Sequence, residues 1–253
     1  FTWEWHANKK SLNEFTPFKL TYSKLISSTE VFDSAMIANP AIALSFNDVF
    51  IPQMQYAYTY DNDWGANHLT WNVQLTEAGN VMSGIWALAG SKGTKELFGT
   101  PFSQFMKAQT QVVWTRRLSH ETSVVGRVFL GAAHAYGNSS EVPYREQFYI
   151  GGANSIRAYT VRAVGPGGYH SKNSSFLDQT GDFKFEANAE YRFNMVGNFN
   201  GAFFLDAGNV WLLRKDIQRP NAEFNLKRWW NQIAVGTGMG LRYDMEFLVL
   251  RLD

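Results

Sequence analysis

The sequence predicts an all-β fold, an antiparallel transmembrane β-barrel, with about ten of its strands in these 253 residues. Three observations carry that prediction. Apolar and polar residues alternate with period two along many segments, which makes strands with two chemically different faces. Several segments run to about 10 residues or more, longer than the usual strand of a soluble domain. The connections are alternately short and long, the layout of short turns at one barrel rim and long loops at the other. A soluble β-sandwich also alternates, but its strands are shorter and its turns have no reason to alternate in length.

Taken in order, Phe1, Trp3 and Trp5 alternate with Thr2, Glu4 and His6, and Phe18, Leu20 and Tyr22 with Lys19, Thr21 and Ser23. Met54, Tyr56, Tyr58 and Tyr60 share one face of the next segment, and Leu69, Trp71, Val73 and Leu75 share one face of the following one. Residues 104–116 continue the pattern with Met106, Val112 and Trp114; residues 122–134 follow it less cleanly. The signal sharpens at Phe183, Phe185, Ala187, Ala189, Tyr191 and Phe193, which oppose Asp182, Lys184, Glu186, Asn188, Glu190 and Arg192. Phe203, Leu205 and Ala207 oppose Phe204, Asp206 and Gly208. Ile233, Val235, Met239, Leu241 and Tyr243 oppose a face that is mostly Gly and Ala, and Leu248, Leu250 and Leu252 close the series.

Short connections fall near 8–16, 61–66, 117–121, 194–199 and 244–246, and long ones near 27–47, 78–103, 137–181 and 212–229. In the first long connection, Ser28-Thr29-Glu30 before apolar Phe32, Ala35 and Met36, with a closing Asn39-Pro40, predicts one short helix that caps a loop. The Trp and Tyr residues, among them Trp3, Trp5, Tyr56, Tyr58, Tyr60, Trp71, Trp114, Trp211, Trp229 and Trp230, fall on outward faces or near strand ends. That is the distribution of interfacial aromatic girdles.

Composition removes several function classes. A formal net charge of +1 supports no nucleic-acid partner. With no Cys there is neither a disulfide framework nor a thiolate metal site. No run of 18 apolar residues offers a transmembrane helix. His6, His68, His120, His134 and His170 are scattered without metal-ligand spacing, and no Gly-x-Ser-x-Gly or Walker loop occurs. Neither enzymatic activity nor a cofactor is therefore expected. Phe1 and Asp253 both fall inside strand patterns, and an unpaired sheet edge is forbidden in lipid. Residues 1–253 are therefore expected to be one partial barrel domain whose missing strands lie elsewhere in a longer protein.

The longest connection, 137–181, holds Phe148-Tyr149-Ile150-Gly151-Gly152-Ala153-Asn154-Ser155-Ile156-Arg157-Ala158-Tyr159. A loop of that length in a compact fold is functional or disordered; its aromatics and paired glycines favour order. Arg157 stands between apolar neighbours, and a guanidinium, always charged, needs a carboxylate if buried. Glu190 and Asp206 lie on the polar faces of the next two strands. Counted from the turn near 196–197, Asp206 is about three residues further up, on the order of 10 Å at strand rise. Strand stagger would let one arginine reach both. In the other arrangement the carboxylates line a wet channel and pair with Arg192, Arg242 or Arg251.

At these residues the chain resembles the BamA/TamA superfamily of outer-membrane assembly proteins, also described as surface-antigen D15-like barrels. Gly151, Gly152 and Ile156-Arg157-Ala158-Tyr159 stand where that family carries Gly-Gly and Val-Arg-Gly-Phe/Tyr in its sixth extracellular loop. Glu190 in Ala189-Glu190-Tyr191-Arg192-Phe193, and Asp206 in Phe204-Leu205-Asp206-Ala207-Gly208-Asn209-Val210-Trp211, match its acidic partners. The closing stretches 236–243 and 250–253 also resemble the family's last strands. The likeness is strong over 144–253, and the earlier half is similar to the TamL-type branch of Bacteroidota lipoproteins.

The resemblance implies a barrel of about sixteen strands in the bacterial outer membrane, with Arg157 docked on Glu190 and Asp206 inside the lumen. It also implies periplasmic POTRA domains, client outer-membrane proteins, and periplasmic or lipoprotein accessory subunits. Ala158 departs from the motif's glycine and would be strained if that position needs a positive φ. The implied function is assembly or insertion of outer-membrane proteins. The rival is a two-partner-secretion-type transporter or porin-like channel, with the loop as plug. A porin calls for charged lumen rings, whereas the small residues of 232–242 favour close packing of loop on wall.

Overall fold

A computed structural model describes residues 1–38, 48–88, 93, 95–97, 100–170, 179–245 and 248–252. In chain order the elements are β1 (Trp3–Asn8), β2 (Ser11–Ser23), α1 (Glu30–Ala38), β3 (Val49–Trp64), β4 (Asn67–Ala78) and α2 (Asn80–Leu88). They continue with β5 (Glu96–Leu97), β6 (Thr100–Pro101), β7 (Phe105–Arg117), β8 (Thr122–Ala135), β9 (Phe183–Val196), β10 (Phe199–Trp211), β11 (Ala234–Asp244) and β12 (Val249–Leu252). Ten of the strands form a single antiparallel meander in the order β1-β2-β3-β4-β7-β8-β9-β10-β11-β12, and β5 and β6 pair separately. The sheet is open among the described residues: β1 and β12 are its two edges. This is the wall of a partial β-barrel.

The turns after β1, β3, β7 and β9 share one rim, and the long connections share the other. The register assigns each strand's parity to a face. Tyr56, Leu75, Ala108 and Ala132 lie in one outward row, and Ala189, Leu205 and Thr237 in another. Leu75, Met106, Val128, Leu130, Leu205 and Met239 are exposed on that face. Apolar side chains left open on a sheet face are the signature of a wall that meets lipid.

One strand boundary, the start of β2, differs from the sequence expectation for a physical reason. The stretch expected as connection near 8–16 belongs mostly to β2. A register shift between Thr16 and Lys19, at Pro17, reverses the parity: outward residues are odd before it (Phe15) and even after it (Phe18, Leu20, Tyr22). Pro cannot donate to the ladder, and bulges are one of the places where sheets accept it. A bulge breaks the period-two signal into two halves, and only the second half reads as a strand.

The helix expected from Ser28 forms as α1, with Thr29 as its cap: Phe32 N–H donates to Thr29 Oγ1 at 3.3 Å. The closing Asn39-Pro40 lies outside the described residues. Helix α2 has no counterpart among the sequence expectations. Trp211 also differs from a girdle residue. It is fully buried beneath Phe183 and Phe224, and its indole N–H donates to Gln232 Oε1 at 2.7 Å.

On the inner face the long-connection end is apolar. Ile51, Ala78, Phe105, Ala133 and Val210 of the wall form one buried cluster with Val142, Phe148, Ile150, Ile156 and Val164 of the 137–181 connection. Burying an Ile of this kind is worth roughly 1.5–3 kcal/mol. The loop is thus a layer of the core. Gly167 N–H donates to Val210 O of β10 at 2.6 Å, and the next connection closes over the loop, with Gly168 N–H donating to Asn221 O at 2.9 Å.

Candidate functional site

The segment 150–162 forms a compact knot. Gly152 N–H donates to Tyr159 O at 2.8 Å, and Arg162 N–H to Ile150 O at 2.8 Å, so the two arms are laced together. The lacing leaves no room at its base. Gly151 has φ +106°, and a Cβ there would sit 2.0 Å from Thr160 O; Gly152 has φ +93°. Only glycine fits such a backbone without strain.

Ile156, fully buried, points the tip at the wall and sets Arg157 beside β9 and β10. Arg157 Nε donates to Asp206 Oδ2 at 2.8 Å, and Nη2 to Asp206 Oδ1 at 2.8 Å, a bidentate fork. The backbone N–H of Arg157 also reaches Asp206 Oδ2 at 3.0 Å, and Nη1 donates to Glu190 Oε2 at 2.8 Å. The guanidinium carbon lies 3.6 Å from the centre of the Phe204 ring. The side chains of Arg157, Glu190 and Asp206 are 5%, 8% and 0% exposed, so this is a desolvated ion cluster.

The register explains the reach. Glu190 pairs with Phe204 and Asp206 with Asn188, an offset of two residues, or about 7 Å. The sequence count of about three residues overestimated it because it started from 196–197, whereas the pairing of β9 with β10 is centred on residue 197. The two arrangements left open by the sequence are not exclusive. Glu190 also accepts from Arg192 Nε at 2.6 Å and from Arg242 Nη2 at 2.5 Å. Arg251 Nη2 donates to Ala153 O in the loop, at 3.1 Å.

Ala158 needs no left-handed backbone: the described non-glycine residues with positive φ are Arg162 and Asn221. Its methyl is accommodated across the interface. A Cβ added to Gly236 of β11 would lie 2.7 Å from the Ala158 Cβ and 3.2 Å from Ile156. Tyr159 completes the contact, its hydroxyl 3.4 Å from Val235 O. Gly131 of β8 is a second such seat, since a Cβ there would meet the Phe148 ring at 2.5 Å.

Sequence reasoning did not assign a second cluster beside the first. Glu186 of β9 is fully buried and accepts from Ser155 Oγ at 2.5 Å, from Lys184 Nζ at 2.8 Å and from Arg127 Nη1. Arg127 also donates to Asn154 O at 3.2 Å and to Asn188 Oδ1 at 2.9 Å. Asn188 joins the two clusters, donating to Ser155 O at 2.9 Å and to Asp206 Oδ1 at 2.8 Å. Glu186 and Asn188 share the inner parity of Glu190, and Ser155 is two residues before Arg157; those positions are the signal that was available.

Removing the Glu186 charge leaves Arg127 and Lys184 facing a neutral group in a dry site. Glu186→Gln is expected to lower barrel stability by about 2 kcal/mol, read from the denaturant unfolding midpoint in detergent micelles. A parent-like midpoint would mean that the cluster contributes nothing.

Every carboxylate in these clusters is held by a cation. Among the described residues no group of three or more His, Asp or Glu is placed to hold a metal ion. A polar cavity of about 360 Å³ remains between the loop tip and β7, β8 and β9. The arrangement is chemically suited to holding one loop conformation against one wall.

An open-faced antiparallel wall, apolar outside and ionic inside, with a loop seated on its inner face, defines a segment of a membrane β-barrel. Residues 71–253 match the Omp85 superfamily domain, and the chain belongs to that superfamily of bacterial outer-membrane β-barrel proteins. It is 30% identical over 137 residues to the outer membrane protein assembly factor BamA of Neisseria meningitidis serogroup B strain MC58, covering 51% of this chain and 17% of that protein.

Two solved structures share its fold. Crystallised BamA from Haemophilus ducreyi lacking POTRA domains 1–3 aligns with a TM-score of 0.64 at 14% identity, over 99% of this chain and 48% of that one. CdiB from Escherichia coli aligns with a TM-score of 0.58 at 12% identity, over 100% and 40%. The chain therefore spans less than half of each of these proteins.

Proposed function

We propose that this chain is the central and C-terminal part of the barrel of an outer-membrane protein assembly or insertion factor, without enzymatic activity. In this reading 137–181 is the sixth extracellular loop folded into the lumen, and strands and periplasmic POTRA domains outside these residues complete the protein. Arg157, seated on Glu190 and Asp206, fixes the loop and with it the shape of the lumen; Gly151, Gly152, Ile156, Ala158 and Tyr159 build the seat. The observation that carries the reading is the loop tip packed without a gap on Gly236, which suits a structural lock better than a gated passage. The sequence likeness to BamA supports the assembly reading within the superfamily.

Client outer-membrane proteins would pair with the edge strands of the completed barrel by β-augmentation, with periplasmic or lipoprotein subunits assisting. Within the superfamily we place the chain nearest the TamL-type branch of Bacteroidota, on the residues of its earlier half. The fold likeness to CdiB favours a second reading, a two-partner-secretion-type transporter.

Depletion of the full-length protein in its own cells separates them. Expected is a fall in many folded outer-membrane barrels, measured by heat-modifiable mobility. Loss of one secreted protein with normal barrel assembly would overturn the assembly reading and support the transporter.

A further inference from the structure

Helix α2 is the most exposed apolar element at the long-connection rim. Its nine residues, Asn80 to Leu88, include no charged side chain, and none is buried. Val81, Ile85 and Leu88 stand at i, i+4 and i+7 on one face, 53%, 55% and 91% exposed. Such a stripe normally packs on protein; here it packs on nothing described.

Its anchors say which side of the wall it occupies. The Asn80 N–H donates to the carboxylate of Glu77, which belongs to the outward row of β4 through its pairing with Met106. Asn80 Oδ1 accepts from Tyr136 Oη at 2.8 Å, one residue past β8. Gly79 N–H, just before the helix, donates to Pro52 O of β3 at 2.9 Å. The helix therefore leaves from the lipid-facing side of the strands.

Directly below, Glu77 also borders an apolar groove of about 350 Å³ in the outward wall. Met54, Tyr56, Leu75 and Met106 form its sides, and the small Ala108 and Ala132 form its floor. All six have outward parity. The groove and the helix stripe are thus continuous with the face that meets the bilayer.

We propose that α2 lies in the membrane interface at this rim, with Val81, Ile85 and Leu88 turned into the acyl region, and that the groove beneath it receives a lipid acyl chain. An exposed apolar helix face carried on the rim of a membrane wall is the part of an interfacial helix that enters the headgroup–acyl boundary. A protein partner would be expected to find charged handles among the exposed positions; α2 has none, and its polar Asn80 and Ser83 are already bonded within the chain, which leaves the indole N–H of Trp86, a group suited to a membrane interface.

The test uses the full-length protein reconstituted in vesicles of phosphatidylethanolamine and phosphatidylglycerol. The 253 residues contain no Cys, so a nitroxide at Val81→Cys, Ile85→Cys, Leu88→Cys or Ala108→Cys reports one site of this segment. Ser119→Cys, in the turn after β7, is the water-exposed reference. Collision with oxygen, which concentrates in lipid, is compared with collision with a water-soluble nickel chelate.

The oxygen-to-nickel ratio is expected to exceed that of the Ser119 site several-fold at all four positions. A ratio like that of Ser119 at 81, 85 and 88 would place the helix in water. Low collision with both probes there would place it under protein. Either result overturns the anchor. A lipid-like helix with a protein-like Ala108 would overturn the groove. Heat-modifiable mobility of each labelled variant verifies that the barrel has folded.

Discussion

Arg157→Ala is expected to cost the barrel about 3–5 kcal/mol and to free the 137–181 connection from the wall. Three of the four hydrogen bonds vanish with the guanidinium, and the fourth, from the backbone N–H to Asp206, does not depend on the side chain. The larger loss lies in what remains. Asp206 is fully buried, and of the donors described above it keeps only two neutral ones, the Asn188 amide and the backbone N–H of residue 157. A buried carboxylate stripped of its cation is the costly state.

Glu190 keeps Arg192 and Arg242, so the penalty concentrates on Asp206. Arg157→Lys preserves the charge but not the fork, and should fall between the parent and alanine. The measurements are the denaturant midpoint in micelles and protease cleavage within 137–181. A protease-resistant, parent-like alanine variant would sink the role proposed for the loop.

Gly151→Val is expected to cost a comparable amount, about 3–5 kcal/mol, through sterics rather than charge. The φ of +106° is hostile to any L side chain, and the new Cβ would overlap Thr160 O at 2.0 Å. The loop has to open between Ile150 and Arg162 to admit it, which withdraws Ile156 and Arg157 from the wall. Gly65 supplies the internal control. Its φ is +57°, but nothing lies within 4 Å of its would-be Cβ, so Gly65→Ala should cost only about 1–2 kcal/mol, the intrinsic left-handed penalty. Equal midpoints for the two variants would mean that the knot does not depend on its close packing.

Much of the fold is legible in the sequence because the period-two pattern is local. Phe183 through Phe193 declare their two faces without reference to any other strand, and the alternation of short and long connections orders the rims. The charge argument is also local in origin: a lone Arg157 among apolar neighbours asks for an acid, and Glu190 and Asp206 lie on the polar parity of the strands that follow. The pattern fails where local signals break. Pro17 flips the parity of β2, and the uncharged α2 carries no cap-and-charge signature strong enough to separate it from a loop.

What the sequence by itself determined is the class of wall, its polar and apolar faces, and the residues able to form an ion cluster. Only the tertiary structure decided how those residues meet. The two-residue offset between Glu190 and Asp206, the seating of Ala158 on Gly236, and the Ser155–Glu186–Arg127 cluster all depend on register between strands and on a loop returning across 30 or more residues of chain, such as the 31 between Ser155 and Glu186. Register is set by cross-strand pairing and turn geometry summed over the whole sheet, and no period within a single segment encodes it.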